Sequence, residues 1–397
     1  MNKKASLLAV FLTVFIDLMG FGILIPILPN FANRILGIDE FAIGVLMAIF
    51  SLVQFLFNKV LGSISDRYGR RPVILTTLLI TTGSYVLFSF STTFLMLFIS
   101  RLLAGFGGSN IAVAQAYIAD ITDDKNRSRG MGLIGAAFGL GFVFGPVIGG
   151  FLSKFGYDIA GFGAAGFSFL AFIFAFIFLK ESHTERDTSI KINMRLLDYS
   201  LIKRVMQAPV LGLLISIFFI IVFSMANIYG TFALIGEKKY EFGDLKIGLL
   251  FGIFGLVGAV VQGGLIKRLS DNFGAKRLVY AGLVLMMIGL SFIPYGVNFT
   301  GVAIAGGLLS FGTGILQPTV LSMISNTIDR RQQGEILGLN QSLASLARVL
   351  GPLWGGFSFE YLGYEIPFIT GALFTFFTLI VALKYLRKLV IEGQRYV

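Results

Sequence analysis

The 397-residue chain contains no cysteine and one histidine, and only 13% of its residues are charged. The absence of cysteine excludes disulfides, thiolate metal sites and a cysteine nucleophile. The single histidine, His183, lies in a polar stretch and leaves little scope for histidine-based catalysis. Because soluble domains are roughly one quarter charged, the scarcity of charge also indicates a chain that does not fold in water.

Hydrophobic residues make up 56% of the chain, and the mean hydropathy is +0.85. They form twelve runs of a length that crosses a ~30 Å hydrocarbon core as a helix. Because no water is present there to bond the backbone, each run must be helical. The first run is too long for a removable signal peptide and lacks a small-residue cleavage site. The runs cover residues 6–30, 41–63, 72–92, 93–119, 129–153, 160–179, 209–235, 245–266, 277–295, 298–326, 335–359 and 363–386.

Basic residues are distributed unevenly between the segments that join these runs. With a cytoplasmic N-terminus, 24 of the 32 Lys and Arg residues lie in inner segments and 5 in outer segments. The positive-inside rule then places both termini in the cytoplasm. The net charge of +11 is therefore a topology signal, and we expect anionic lipid head groups rather than nucleic acid as its partner.

Two motifs recur at half-chain distance. The loop LGSISDRYGRRP at Leu61–Pro72 is echoed by GLIKRLSDNFGAK at Gly264–Lys276, and the Gly-Pro-x-x-Gly-Gly series at Gly145–Gly150 recurs at Gly351–Gly356. We therefore predict an all-α membrane protein of twelve transmembrane helices in two parallel six-helix repeats. The predicted parts are residues 1–179, a cytoplasmic linker at 180–208 and residues 209–397. The linker segment Lys191–Met206 has the pattern of an amphipathic surface helix, although a tether whose helix packs on the bundle fits equally well.

The first loop carries more information than a basic turn requires. Gly62 allows close helix approach and Gly69 allows a turn conformation closed to other residues. Asp66 can accept hydrogen bonds at a helix N-terminus. Its remaining basic residues, which can pair with acids or phosphates, are Arg67, Arg70 and Arg71.

Asp17 is the only acid well inside a predicted span, at a depth of roughly 17 Å. Arg101 lies in a span that begins at the outer side, and its depth in the membrane agrees with that of Asp17 within one helical turn. An acid at this depth is costly and should face a cavity or a partner. Burial favours its neutral form and a nearby cation its charged form, so a moving substrate could alternate between them. We expect a proton site here; the alternative is a static ion pair holding span one to span four.

The chain resembles the drug:proton antiporters of the major facilitator superfamily, the tetracycline and multidrug exporter type. The resemblance is carried by the loop, by Asp17-Leu-Met-Gly20-Phe-Gly22, by Arg101-x3-Gly105-x-Gly107 and by the span-five glycines. The resemblance covers essentially the whole chain and implies the major facilitator fold. It implies that the loop is a conformational latch, with Asp66 capping span eleven near 334–338 and Arg70 pairing with Asp120. The second copy keeps Asp271 but has Ala275 at the Arg70 position, so its latch should be weaker.

The resemblance also assigns proton coupling to Asp17 and Arg101. Tetracycline-type relatives carry a further acid in span three, where this chain has Ser84. This departure favours an apolar, neutral or anionic substrate over tetracycline. The antiporter motif, which can be read from the residues alone as close helix packing, implies exchange without leak by resemblance; it comprises Gly141, Gly145, Pro146, Gly149 and Gly150.

Further polar residues within the spans are candidates for a substrate cavity, although interhelical bonding is the commoner role for any one of them. They are Gln54, Asn110, Gln115, Asn227, Gln262, Gln317, Asn340, Gln341 and Arg348. Arg348 could meet an anionic substrate group or extend towards the membrane surface; both readings stay open.

These features predict a secondary active transporter in a bacterial cytoplasmic (inner) membrane. We expect it to export a small lipophilic compound in exchange for protons by alternating access, as a monomer, with the proton gradient in place of a cofactor and no metal. Proton- or sodium-coupled uptake of a metabolite, or lipid or lysolipid export, are alternatives in the same fold. A membrane enzyme is disfavoured because the spans offer no catalytic pair of groups, and nothing in the chain resembles a signalling receptor.

Overall fold

The computed structural model describes residues 3–122, 124–182, 199–328 and 333–391. Over these residues the regular structure is helical, without a strand. His183 and the first part of the predicted amphipathic segment, residues 191–198, lie outside the described residues. The second part of the segment predicted at 191–206 is helical, and the helix covers Tyr199–Gln207.

Fifteen α-helices follow one another in the described part of the chain. They are α1 (Lys3–Asn30), α2 (Glu40–Tyr68), α3 (Arg70–Ser89), α4 (Phe94–Gly107), α5 (Asn110–Ile121), α6 (Asp124–Leu152), α7 (Tyr157–Phe178), α8 (Tyr199–Gln207), α9 (Pro209–Lys238), α10 (Asp244–Val260), α11 (Ile266–Phe273), α12 (Ala275–Phe292), α13 (Phe299–Thr327), α14 (Gln333–Tyr361) and α15 (Ile366–Ile391). Short π-helical turns at Phe31–Ile35 and Val261–Leu265 extend α1 and join α10 to α11.

Eleven helical segments of the described residues are long and apolar enough to cross a membrane. They correspond to eleven of the twelve predicted spans; α4 with α5, and α10 with α11, each form one of them. The predicted span at 335–359 is a helix of 29 residues, α14, but its polar residues keep it outside this set. Its membrane-spanning role, the parallel repeats and the cytoplasmic termini remain predictions.

The chain divides into two compact units, one of residues 1–194 with 241–252 and the other of residues 195–240 with 253–397. In the first unit α1 packs on α6 and α7, and α3 packs on α7 and α4. In the second unit α9 packs on α14 and α15, and α12 packs on α15 and α13. The second unit thus repeats the helix pairing of the first. In this pairing α14 is the counterpart of α6.

The helix α8 begins the second unit and packs on the start of α9. Its Leu201 and Val205 are buried, whereas Lys203 and Arg204 are exposed. The backbone of Met206 lies so near Gly212 that a methyl group there would come within 3.1 Å of it. The amphipathic pattern of the linker therefore buries its apolar face against this unit.

Candidate functional site

The Ser-Asp-x-x-Gly loops adopt the same backbone conformation in both copies. Gly69 has φ +103° and Gly274 has φ +74°, both in the region that favours glycine. Each separates two helices by a single residue, and each donates its N–H at 3.0 Å to the carbonyl of the serine four residues earlier, Ser65 or Ser270. The repeated sequence therefore encodes a repeated turn.

Arg70 lies at the centre of a polar network in the first loop. Its guanidinium contacts Asp66 Oδ1 at 2.5 Å and Asp120 Oδ2 at 3.0 Å, and it donates to Ser65 Oγ at 2.6 Å. The residue is only 6% exposed. The pairing with Asp120 that the resemblance implies is thus present, and two carboxylates and a hydroxyl compensate a buried cation.

Glu181 belongs to this network, although its role was missed from the sequence. Its carboxylate oxygens accept hydrogen bonds from the backbone N–H groups of Arg70 at 2.9 Å and Arg71 at 3.2 Å. These are the first residues of α3, where helical N–H groups lack partners within the helix. The neighbouring Ser182 donates to Asp120 Oδ2 at 3.0 Å. The chain leaving α7 is therefore fastened to the loop.

The other loop residues play lesser parts in these contacts. Arg71 donates to the Phe176 carbonyl at 2.7 Å, and Arg67 is exposed with its guanidinium 5.5 Å from the ring centre of Tyr68. The close helix approach predicted at Gly62 is wrong for this structure, because a methyl group there would meet nothing within 4 Å. In the second copy Asp271 is exposed and makes no ion pair within the described residues, as expected where alanine replaces Arg70. The latch role itself remains a prediction.

Asp17 lies on α1 and is 7% exposed. Asn110 Nδ2 donates to its Oδ2 at 3.0 Å, and Ser168 Oγ donates to its Oδ1 at 2.8 Å. These donors belong to α5 and α7, so the carboxylate faces the interior of the first unit rather than lipid. Both donors are neutral. Asn110 was predicted as a cavity residue; Ser168 was missed.

The break between α4 and α5 brings Asn110 to this position. The helix stops at Gly107 and resumes at Asn110, and an interrupted backbone inside a membrane must find other partners. Gln54 on α2 supplies one, since its Nε2 donates to the Gly108 carbonyl at 3.0 Å. The glycines at 105, 107 and 108 were a readable signal for this break. Gln54 thus makes an interhelical bond, the commoner of the two roles considered for it.

Arg101 is buried on α4, with 3% exposure. Its Nη2 donates to Ser100 Oγ at 3.4 Å, its guanidinium lies 5.7 Å from the ring centre of Phe88, and its Nε has no hydrogen-bond partner. No ion pair joins it to Asp17 in the described structure. The static ion pair considered for these two residues is thus not formed in this structure, and their role in proton coupling remains a prediction.

Tyr85 of α3 is buried within the first unit. It is 2% exposed, and its ring lies against α1, where a methyl group on Gly20 would be 3.3 Å from its Cε2. Ser84, beside it, is fully buried and donates to the Thr81 carbonyl at 2.7 Å. The position at which the resemblance implies an acid thus holds a satisfied hydroxyl.

The span-five glycines pack α6 against α1 at close range. A methyl group at Gly145 would lie 2.6 Å from Gly22 Cα, and one at Gly141 would lie 2.9 Å from Leu18 Cβ. Gly149 meets the Ile23 backbone in the same way. Gly150 packs instead against the first turn of α10, where a methyl group would lie 2.5 Å from the Asp244 carbonyl oxygen. The motif therefore forms a backbone-to-backbone helix contact.

The remaining cavity candidates fall into three groups. Asn227 and Asn340 are buried, each with an unpartnered Oδ1, and Asn227 Nδ2 donates to the Pro367 carbonyl at 2.6 Å. Arg348 and Gln317 are half-buried. Three more are exposed in the isolated chain: Gln115, Gln262 and Gln341. A substrate-binding role for any of these residues remains a prediction.

The sequence model of the Major Facilitator Superfamily matches residues 10–269 and, in a second match, residues 263–394. The chain belongs to this superfamily. It is therefore a multi-pass membrane transporter, as predicted. The resemblance to drug exporters is confirmed by curated relatives: tetracycline resistance protein, class C, of Escherichia coli is 31% identical, with 89% of each chain covered.

Two further relatives extend this similarity. Multidrug resistance protein 2 of Bacillus subtilis (strain 168) is 30% identical and covers 96% of this chain and 94% of its own. The crystal structure of the human organic anion transporter MFSD10 (TETRAN) shares 26% identity with a TM-score of 0.72, covering 96% of this chain and all of the other. Relatives in this superfamily thus resemble the chain over nearly its full length.

Proposed function

We propose that this chain is a proton-coupled exporter of a small lipophilic compound, with Asp17 as the group that gains and loses the proton. Asp17 is held in a transmembrane helix by the neutral donors Asn110 and Ser168, with no cation paired to it in the described residues. This single observation carries the proposal, because a buried carboxylate without a counter-ion is costly and can be relieved by a proton. The relatives' names, which include tetracycline and multidrug resistance, support the direction of transport.

The coupling scheme uses the side chains around Asp17. A proton neutralises the carboxylate while the site faces one side of the membrane, and its release restores the charge on the other side. Alternation of the two states by rocking of the six-helix bundles is the expected mechanism of such folds.

The test is efflux from proteoliposomes with an imposed pH gradient, using ethidium, tetracycline and 8-anilino-1-naphthalenesulfonate (ANS) as probes. Asp17→Asn keeps the size and the acceptor oxygen but cannot release a proton, so it should abolish gradient-driven flux while dye binding persists. Asp158→Asn, the same change at an exposed acid in the first turn of α7, is the matched control and should transport normally. Normal gradient-driven flux through Asp17→Asn would refute the role of Asp17, and accumulation in the opposite direction would favour uptake.

A further inference from the structure

Arg348 is a cation placed half-way along a long helix. It lies 15 residues after the start of α14 and 13 before its end, so about 20 Å of helix separates it from either terminus. The side chain is half-buried. Arginines near helix ends extend to the membrane surface, but one at this position is too far from both ends for that.

No carboxylate of the described residues lies within ion-pair distance of Arg348. The acids of its own helix, Glu335 and Glu360, are 13 and 12 residues away, which corresponds to about 18–20 Å of rise. Its hydrogen-bond partner in the described residues is neutral: Nη2 donates to Ser345 Oγ at 2.8 Å. The remaining N–H groups of the guanidinium, which has five donors, are available for another acceptor.

Arg70 shows how the same chain treats a buried arginine that has partners. There two carboxylates and a serine hydroxyl surround the guanidinium. Arg348 has the serine but neither carboxylate. A buried charge without compensation is costly, and an arginine presents a planar fork that matches a carboxylate or sulfonate. The missing component at Arg348 is therefore an anion.

We propose that Arg348, held in place by its hydrogen bond to Ser345, binds the anionic group of the transported compound, which is a lipophilic organic anion carrying a carboxylate or sulfonate. This site specifies the substrate class of the proposed exporter. That the bound anion is also transported rests on the proposed function. The residues of the site belong to the second unit, whereas Asp17 belongs to the first. Binding of the anion and coupling to the proton can therefore be tested separately.

The sole tryptophan gives a direct measure of binding. Trp354 lies six residues after Arg348 on α14, about 9 Å along the helix, and its Nε1 is fixed by a hydrogen bond to Thr370 Oγ1 at 2.9 Å. Energy transfer from Trp354 to ANS can be titrated on the full chain in lipid nanodiscs. N-phenyl-1-naphthylamine, the same ring system without the sulfonate, is the matched neutral probe. Trp354→Phe gives the background.

We expect Arg348→Gln to weaken ANS binding by about tenfold or more, because a charge-assisted hydrogen bond is lost. Arg348→Lys should retain most of the affinity, and N-phenyl-1-naphthylamine should bind all three chains equally. Unchanged ANS binding in Arg348→Gln, or an equal loss for both dyes, would overturn the proposal. An equal loss indicates a damaged apolar surface rather than a lost anion site.

Chemical protection tests the same site without a substitution. ANS should slow the modification of Arg348 by phenylglyoxal in the wild-type chain, read by peptide mass, and N-phenyl-1-naphthylamine should not. Equal rates with and without ANS would count against the site even if Arg348→Gln fails to fold. The proposed function fails independently if Asp17→Asn still couples flux to the pH gradient, because neither ANS readout depends on a proton.

Discussion

The Glu181 carboxylate accepts hydrogen bonds from the backbone N–H groups of Arg70 and Arg71, 111 and 110 residues earlier in the chain. An acid at this position satisfies two helix-end donors at once and complements the positive end of the helix dipole. The end of α7 thereby fixes the start of α3. A turn that is read from the sequence as a local motif depends on a residue from the far end of the first unit.

Glu181→Gln should lower the stability of the protein in detergent. The amide keeps one acceptor oxygen but loses the charge, so we expect a loss of about 1 kcal/mol and a fall in Tm of roughly 2 °C. Glu241→Gln, the same change at an exposed loop residue, is the control. A Tm equal to that of the control would show that Glu181 does not stabilise the loop.

Gly145→Ala should disturb the packing of α1 on α6 much more than the same change elsewhere on that helix. Its new methyl group would lie 2.6 Å from Gly22 Cα, whereas a methyl group at Gly135 would meet nothing within 4 Å. Overpacking typically costs about 1–3 kcal/mol, and alanine at an open helical site is neutral or slightly stabilising. Thermal unfolding of the two variants in the same detergent measures the difference. Equal Tm values would mean that the contact between α1 and α6 accommodates the added methyl group without loss of stability.

Glu365→Gln should remove part of the acid sensitivity of the second unit. Lys239 Nζ contacts Glu365 Oε1 at 2.5 Å, and its hydrogen bond holds the pKa of that carboxyl below its ordinary value of 4.5. A lowered pKa means that the pair stabilises the folded state above pH 4.5 and that this contribution is lost as the pH falls through the folded-state pKa. Because the pair is about one third exposed, it contributes at most about 1 kcal/mol.

The measurement is Tm in detergent between pH 7 and pH 3. The Glu365→Gln chain should start below the wild type at pH 7 and converge with it at the acid end. Glu241→Gln should follow the wild type throughout. Parallel curves for Glu365→Gln and the wild type would show that Glu365 titrates alike in the folded and unfolded chains.

Helices and single unusual residues could be predicted from the sequence, whereas long-range partners could not. Run length and the absence of water in the bilayer fix the spans, and the repeated glycines at 69 and 274 fix the same turn twice. Asp17 was recognisable because it is alone among apolar residues. Ser168 was not, because serine is ordinary in such helices and acquires a role only when folding brings it to Asp17.

The span predicted at α14 shows where composition stops being informative. Its length and its repeated Gly-Pro series predict a membrane helix, but Asn340, Gln341 and Arg348 reduce its hydropathy. Composition alone cannot separate a polar helix on the surface from one that lines a site inside the membrane. The packing of α14 on α9 matches that of α6 on α1, so α14 is part of the helix packing of its unit.

Ser168→Ala should impair gradient-driven transport through its effect on Asp17. It removes the hydroxyl that donates to Asp17 Oδ1 at 2.8 Å, so one of the two groups that stabilise the carboxylate is lost. We expect gradient-driven flux to fall roughly tenfold and its pH profile to shift. Ser84→Ala is the matched control, because that serine is equally buried and donates only to the Thr81 carbonyl of its own helix.

The pH profile separates an effect on Asp17 from a general loss of packing. A cavity left by either serine would reduce the amount of folded transporter at every pH alike, whereas a change at the proton site moves the pH at which flux is half-maximal. We therefore expect a shifted profile for Ser168→Ala and an unshifted one for Ser84→Ala, both measured with ANS in proteoliposomes. If the two profiles coincide, the Ser168 hydroxyl only fills space and the proton site does not depend on it.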